Sequence, residues 1–226
     1  METIKPFIRM KKVVYQPKWR GQYLIDGQFA CPVVYVPEHC VSSTRISGYF
    51  QLLTEERIRK LREEYLPTAK EEWMNIPIHN KDNAPFRPYG ADQDIHVSYN
   101  HPPYLSFSIN MLLDTGGAHP NTGKCGRTFD IHTGRQVALK ELFRSGVDIS
   151  ALLEEEVLRQ ISPQEDTYFD DVSGNVKKYY DPKNYYLTEE GLAIFFPRYT
   201  IAPGYFGEPT FTIPYTALAP YLRRAL

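Results

Sequence analysis

Two runs of strict alternation stand at the centre of the chain. Ile95, Val97 and Tyr99 alternate with Asp94, His96, Ser98 and Asn100. Beyond His101-Pro102-Pro103, Leu105, Phe107, Ile109 and Met111 alternate with Ser106, Ser108 and Asn110. A period of two on both sides of a proline turn predicts an antiparallel hairpin with one buried face. Thr128 to Ile131 and Gln136 to Leu139, around His132-Thr133-Gly134-Arg135, predict a second hairpin. Short apolar runs predict further strands at Val13 to Tyr15, Pro32 to Val36, Tyr185 to Leu187, Leu192 to Phe196 and Thr210 to Ile213. Pro32 and Pro37 give the second of these the character of a sheet edge.

Helical spacing takes over in two places. Ile58, Leu61, Tyr65 and Trp73, set among charges, predict a helix over Glu55 to Asn75. Thr54 reads as its N-cap, and Pro67 kinks or splits it. Asp148 reads as the cap of a helix over Ile149 to Ile161, whose Ile149, Leu152, Leu153, Val157 and Ile161 form one apolar stripe. A short helix closes the chain after Ile213. Strands and helices do not alternate as βαβ units, so the expected fold is α+β: an antiparallel sheet with a few helices packed on one face. The loop Ile76 to Gly90 is the best internal seam and divides residues 1–89 from residues 90–226. Neither side of it reads as self-sufficient, so the two are expected to fold as one unit.

Composition narrows the function. The chain has 226 residues, with 26 Lys plus Arg against 27 Asp plus Glu. That balance speaks against a nucleic-acid partner, whose phosphates call for a basic excess. No apolar run approaches the roughly 20 residues of a membrane-spanning helix. Met1 to Lys12 carries charges and a proline where an export signal would carry its apolar region. As written, the chain reads as cytoplasmic. Cys31, Cys40 and Cys125 are too few for a disulfide framework; one bond between Cys31 and Cys40 and three buried thiols both remain open. The 17 Tyr, 12 Phe and 2 Trp suit half-buried strands and also binding surfaces.

Several catalytic patterns fail on inspection. Gly123-Lys124-Cys125 resembles the end of a phosphate-binding loop, but Ala118 replaces its first glycine and Cys125 its hydroxyl residue. His96 and His101 fall on opposite faces of a continuous strand. His39-Cys40 with Cys31 and Cys125 matches no zinc spacing. No metal and no cofactor is therefore expected. Two segments stay open. In Asp114-Thr115-Gly116-Gly117-Ala118-His119-Pro120, His119 is either a structural residue of a tight turn or a ligand or catalytic base oriented by Asp114 or Asp130. In Tyr199 to Pro209, Tyr205 and Phe206 either plug the end of the core or stand out as aromatic anchors on a stiff loop.

Gly116 to Pro120, Thr128 to Phe143, Tyr186 to Leu192, Ile201 to Gly207 and Phe211 to Tyr215 resemble, in order, a C-terminal domain of unknown function. That domain occurs in lysozyme-sensing anti-sigma factors of the RsiV type and in peptidoglycan deacetylases of the PdaC type. The resemblance spans roughly residues 90–222, and residues 10–75 resemble more faintly the small domain that usually precedes it. It implies an α+β fold, a non-catalytic role at the bacterial envelope, and a contact region at Ile201 to Gly207 that includes Pro203 and Tyr205. The chain lacks the membrane helix, the sigma-binding segment and the deacetylase domain of those proteins. It is thus expected to be the sensing or binding part alone, free-standing or cut from an anchor.

The expectation is a non-enzymatic binding domain for a lysozyme-like protein or a peptidoglycan glycan, with Pro203, Tyr205, Phe206 and His119 as binding residues. Two rivals stand beside it: a glycan-processing hydrolase or deacetylase using His119, and a cytoplasmic protein with an unidentified protein partner.

Overall fold

The structure, a computed structural model, describes residues 5–77 and 86–226. Its strands are β1 (Phe7–Tyr15), β2 (Lys18–Trp19), β3 (Gln22–Tyr23), β4 (Ile25–Tyr35), β5 (Tyr89–His101), β6 (Tyr104–Asp114), β7 (Asn121–Asp130), β8 (Tyr185–Leu187), β9 (Gly191–Phe195) and β10 (Thr210–Pro214). Its helices are α1 (Cys40–Lys60), α2 (Leu66–Asn75), α3 (Leu139–Leu142), α4 (Ile149–Ile161), α5 (Val172–Tyr179) and α6 (Tyr215–Leu218). One sheet runs β1-β4-β5-β6-β7, a smaller one runs β10-β9-β8, and β2 and β3 pair as a ribbon. The class is α+β, as the patterns imply. Within the large sheet every pair is antiparallel except β4 with β5. That parallel pair is joined through α1 and α2, so one βαβ crossover exists where none was expected.

The crossover escapes the sequence because α1 begins at Cys40, far ahead of the Thr54 cap. Thr54 lies inside the helix and is buried with Ser42, Ile46 and Phe50. These residues recur every four positions and form the face turned to the sheet. On that face Ser42 Oγ donates to the His132 carbonyl at 2.7 Å, while Thr54, with the adjacent Ser43 and Ser47, serves the edge of β4. The β4–β5 ladder ends at Phe29↔Gln93, while β4 continues to Tyr35 beside β1 only. Its outer backbone groups beyond that point must find other partners. Gln93 Nε2 donates to the Ala30 carbonyl at 3.0 Å and to Thr54 Oγ1 at 3.1 Å. The N–H groups of Val34 and Val36 donate to Ser47 Oγ at 2.9 Å and Ser43 Oγ at 2.8 Å. Pro32 falls in the same alternation, so the donor it lacks lies on this unpaired side, where the expected edge character is realised. After α1 the helix passes through a π turn, Leu61–Tyr65, and re-forms with Pro67 in the first turn of α2. The interruption expected at Pro67 takes the form of this π turn, which ends two residues before it.

Ile46 and Phe50 of α1 pack with Val34, Ile95, Leu105, Phe107, Ile109 and Phe129 on one face of the large sheet. The hairpin β5–β6 is as expected, but its buried face is not single. A β-bulge between Val97 and Tyr99 shifts the register and turns Tyr99 to the opposite side. There Tyr99 and Tyr104 join a second core with β8, β9, β10 and the buried stripe Leu153, Val157 and Ile161 of α4. Asp148 caps α4, accepting from the Ala151 N–H at 3.1 Å. The two layers meet closely: a Cβ on Gly126 of β7 would overlap the Tyr185 carbonyl of β8. Leu187 N–H also donates to Ser106 Oγ at 3.0 Å. The second hairpin is reduced to one bridge, Phe129↔Gln136, before α3 begins. The seam Ile76 to Gly90 lies partly outside the described residues, and the pairs Ile25↔Tyr89 to Phe29↔Gln93 join its two sides in one sheet. All three cysteines are free; Cys31 is buried, Cys40 exposed and Cys125 between the two. No described helix is long and apolar enough to cross a membrane.

Candidate functional site

The loop between β9 and β10 is anchored from inside by Phe196, Ile201 and Ala202, each at most 1% exposed. Phe169 N–H donates to the Ile201 carbonyl at 3.1 Å, and Phe196 N–H to the Pro209 carbonyl at 2.9 Å. Between these anchors Pro203 leads into a tight turn, Gly204–Phe206, where Phe206 N–H donates to the Pro203 carbonyl at 3.1 Å. Arg198 Nε reaches across the loop to the Gly204 carbonyl at 2.7 Å. Tyr199 holds a left-handed backbone, φ 65°, and lays its ring against Gly204 so closely that a Cβ there would overlap it. The two aromatic readings divide between neighbours. Phe206 is half-buried, its ring 5.3 Å from that of Tyr168. Tyr205 is 77% exposed and Tyr199 59%. Pro203, Tyr205 and Phe206 thus share one turn, with Phe206 packed inward and Tyr205 turned to solvent.

His119 is not part of it. It is exposed on the β6–β7 turn and makes no hydrogen bond among the described residues. Just after the turn, Thr122 at the start of β7 touches the loop, its Oγ1 donating to Glu208 Oε1 at 2.7 Å. The carboxylates considered for orienting His119 are committed elsewhere. Asp114 pairs with Arg87 at 2.6 Å and accepts from Gly116 N–H at 2.9 Å. Asp130 accepts from the His132 and Thr133 N–H groups at 3.0 and 2.9 Å. His39 faces His132, Nε2 to Nδ1 3.3 Å, rather than a cysteine cluster. Among the described residues no group of three or more His, Cys, Asp or Glu is placed to hold a metal ion.

A larger concavity lies at the free edge of β7 and draws on none of these residues. It measures about 860 Å³ and is lined by residues of β7, of the Arg135–Glu141 return and of the Tyr180–Tyr185 segment. Arg127 projects beside it half-buried. Its Nε donates to Tyr49 Oη and its Nη1 to the Gly126 carbonyl, and no carboxylate pairs with it among the described residues. Burial pushes the neighbouring Cys125 thiol up, against the pull of Arg127 and Arg57. Burial likewise pushes the Tyr180 hydroxyl up to about 12. At the rim, the Arg135 guanidinium and the Ala138 N–H hold the Glu141 carboxyl down at about 2. One signal of this site stands in the sequence: Arg127 occupies the inward alternation between Cys125 and Phe129, a charge where an apolar residue is the rule. Lys140, Lys183 and Tyr180, which also line it, come together only through the fold.

Two family models match the chain. Residues 140–216 match the family described as "Protein of unknown function (DUF3298)", and residues 34–122 match "Deacetylase PdaC". A DUF3298-family protein of Bacteroides fragilis shares the fold with a TM-score of 0.69 and 17% identity, over 97% of this chain and 94% of its own. A second, from Pseudomonas aeruginosa, has a TM-score of 0.58 and 16% identity over the same shares. No curated protein matches significantly. The matches support the DUF3298 domain family, preceded by a PdaC-type segment. The DUF3298 stretch runs from α3 to α6 and holds the aromatic loop; the edge cavity is lined by residues of that stretch and of the segment 125–139 just before it.

Proposed function

We propose that this chain is a non-enzymatic binding module that presents the Tyr199–Phe206 face to an envelope-associated ligand, a lysozyme-like protein or a peptidoglycan glycan. The observation that carries the reading is the exposure of Tyr205 on a backbone already fixed by Pro203, Arg198 and the buried Ile201-Ala202 pair. A tyrosine held in this way loses little freedom on binding and offers both a ring face and a hydroxyl, the profile of an interface anchor. The resemblance of Ile201 to Gly207 to the sensor domains of lysozyme-responsive proteins names the ligand class.

Titration of the purified chain with a lysozyme and with soluble peptidoglycan fragments, followed calorimetrically, tests it. One of the two should bind, and Tyr205→Ala should weaken that binding by about 2 kcal/mol with an unchanged melting temperature. Undiminished affinity in the variant, or no binding of either ligand, rejects the reading.

A further inference from the structure

We propose that the cavity at the free edge of β7 is a second, independent site, built for a small organic anion: a carboxylate or phosphate carried on an apolar body. Its lining holds Arg127, Arg135, Lys140 and Lys183 against Glu141 and Asp181. Arg135 and Glu141 neutralise each other at 2.5 Å, which leaves three cations facing one carboxylate. Asp181 is itself engaged, its Oδ1 accepting from the Lys183 N–H at 2.8 Å. The surplus is local, because the whole chain carries a formal charge of −1.

Arg127 is the member that calls for a ligand. A guanidinium drawn out of water is costly unless an opposite charge or a full set of acceptors meets it. Here its acceptors are one phenol and one carbonyl, both neutral, and Nη2 has no hydrogen-bond partner among the described residues. Guanidinium groups bind carboxylates and phosphates through paired, charge-assisted hydrogen bonds. The Tyr180 hydroxyl, buried in the same wall near Ser150, meets no hydrogen-bond partner in good geometry among the described residues and can turn its donor to a ligand. Val137, Ile149 and Pro182 supply the apolar part of the lining. A volume of about 860 Å³ falls in the usual range for small-molecule sites. Lys140 and Lys183, exposed at the mouth, would draw the anion in.

The test is a titration of the isotopically labelled chain, read by amide chemical shifts, with benzoate, phenyl phosphate, inorganic phosphate and the neutral benzamide. Benzoate or phenyl phosphate should shift Cys125 to Arg127, Val137 to Lys140 and Asp181 to Tyr185 saturably, and more tightly than inorganic phosphate or benzamide. Arg127→Met should weaken that binding about tenfold, the worth of a charge-assisted hydrogen bond. The exposed double variant Lys140→Gln with Lys183→Gln should weaken it about threefold and decides the matter if Arg127→Met does not fold. The proposal is overturned if neither aromatic anion saturates these residues, or if benzamide or inorganic phosphate binds equally well. It is also overturned if folded variants bind as the parent does, or if the shifts gather on Tyr199 to Phe206 instead.

Discussion

The β6–β7 turn, Asp114 to Pro120, and the β9–β10 loop, Tyr199 to Pro209, are built from similar materials: two glycines each, proline and exposed rings. They use them in opposite ways. In the turn, a Cβ on Gly116 or Gly117 would meet nothing within 4 Å, and His119 stands in solvent. In the loop, Gly204 is pressed against Tyr199, Phe206 stacks on Tyr168, and Arg198 ties the two sides. Glycine in the turn serves backbone freedom, with φ 84° at Gly116. In the loop Gly204 serves close approach, and only Gly207, at φ 67°, repeats the use made in the turn. An exposed ring held by packing is a better candidate for recognition than an exposed ring on a free turn, because less motion must be arrested on contact.

That contrast is breakable by substitution. The largest effect should come from the most crowded glycine of all, Gly126, whose new Cβ would overlap backbone that cannot swing away. Gly126→Ala should cost about 3 kcal/mol in urea unfolding, and a loss below about 1 kcal/mol would mean that the two sheets are not so closely apposed. Phe206→Ala should cost about 2 kcal/mol, less than a fully buried aromatic because the ring is only half withdrawn from water; a neutral result would make the loop as loose as the turn. Next comes the Arg135–Glu141 pair at the rim of the edge cavity. The folded Glu141 carboxyl, at about 2, lies below the ordinary glutamate value of about 4.3. Its contribution is therefore complete above about 4.3 and is lost as the pH falls toward 2. With the pair partly exposed, Glu141→Gln should lower stability at pH 7 by about 1 kcal/mol or less, and the gap to the parent should close by pH 2. A gap that widens with acid would reverse the assignment. Smallest are Gly117→Ala and His119→Ala, each expected within about 0.5 kcal/mol. A larger loss in thermal unfolding would show that the turn is more tightly held than its open surroundings imply.

Legibility followed how local each constraint is. The β5–β6 hairpin, α4 with its Asp148 cap and the strands β8 to β10 could be read because their residues answer to immediate neighbours. The first half of α1 could not. Its Ser43 and Ser47 meet an unpaired strand edge, and that need is visible only once β4 has outrun β5. The bulge at Val97 to Tyr99 was hidden for a related reason: Tyr99 keeps the alternation in the sequence while the register slips beneath it. At the candidate site, the loop from Pro203 to Phe206 was legible as a stiff aromatic turn, but which ring points outward depended on Tyr168, distant in sequence. The motif Asp130 to Glu141 is largely accounted for by construction: Asp130 closes the turn, Gly134 lies against Ser42, and Glu141 pairs with Arg135.

The serines that α1 lends to β4 bear on how the molecule behaves in company. A strand with open donors and acceptors is a template on which a second chain can grow. Beyond Phe29, most of what β4 could offer on the side that β5 leaves open is taken, since Gln93, Ser47 and Ser43 occupy groups of Ala30, Val34 and Val36. On its other flank β4 is covered by the edge strand β1, whose sequence carries Arg9, Lys11 and Lys12. Two copies approaching through it would bring these cations against their own counterparts. A crowded solution of this protein should therefore resist edge-to-edge assembly on that flank, and replacing all three cations with threonine should make it stickier without loosening its core.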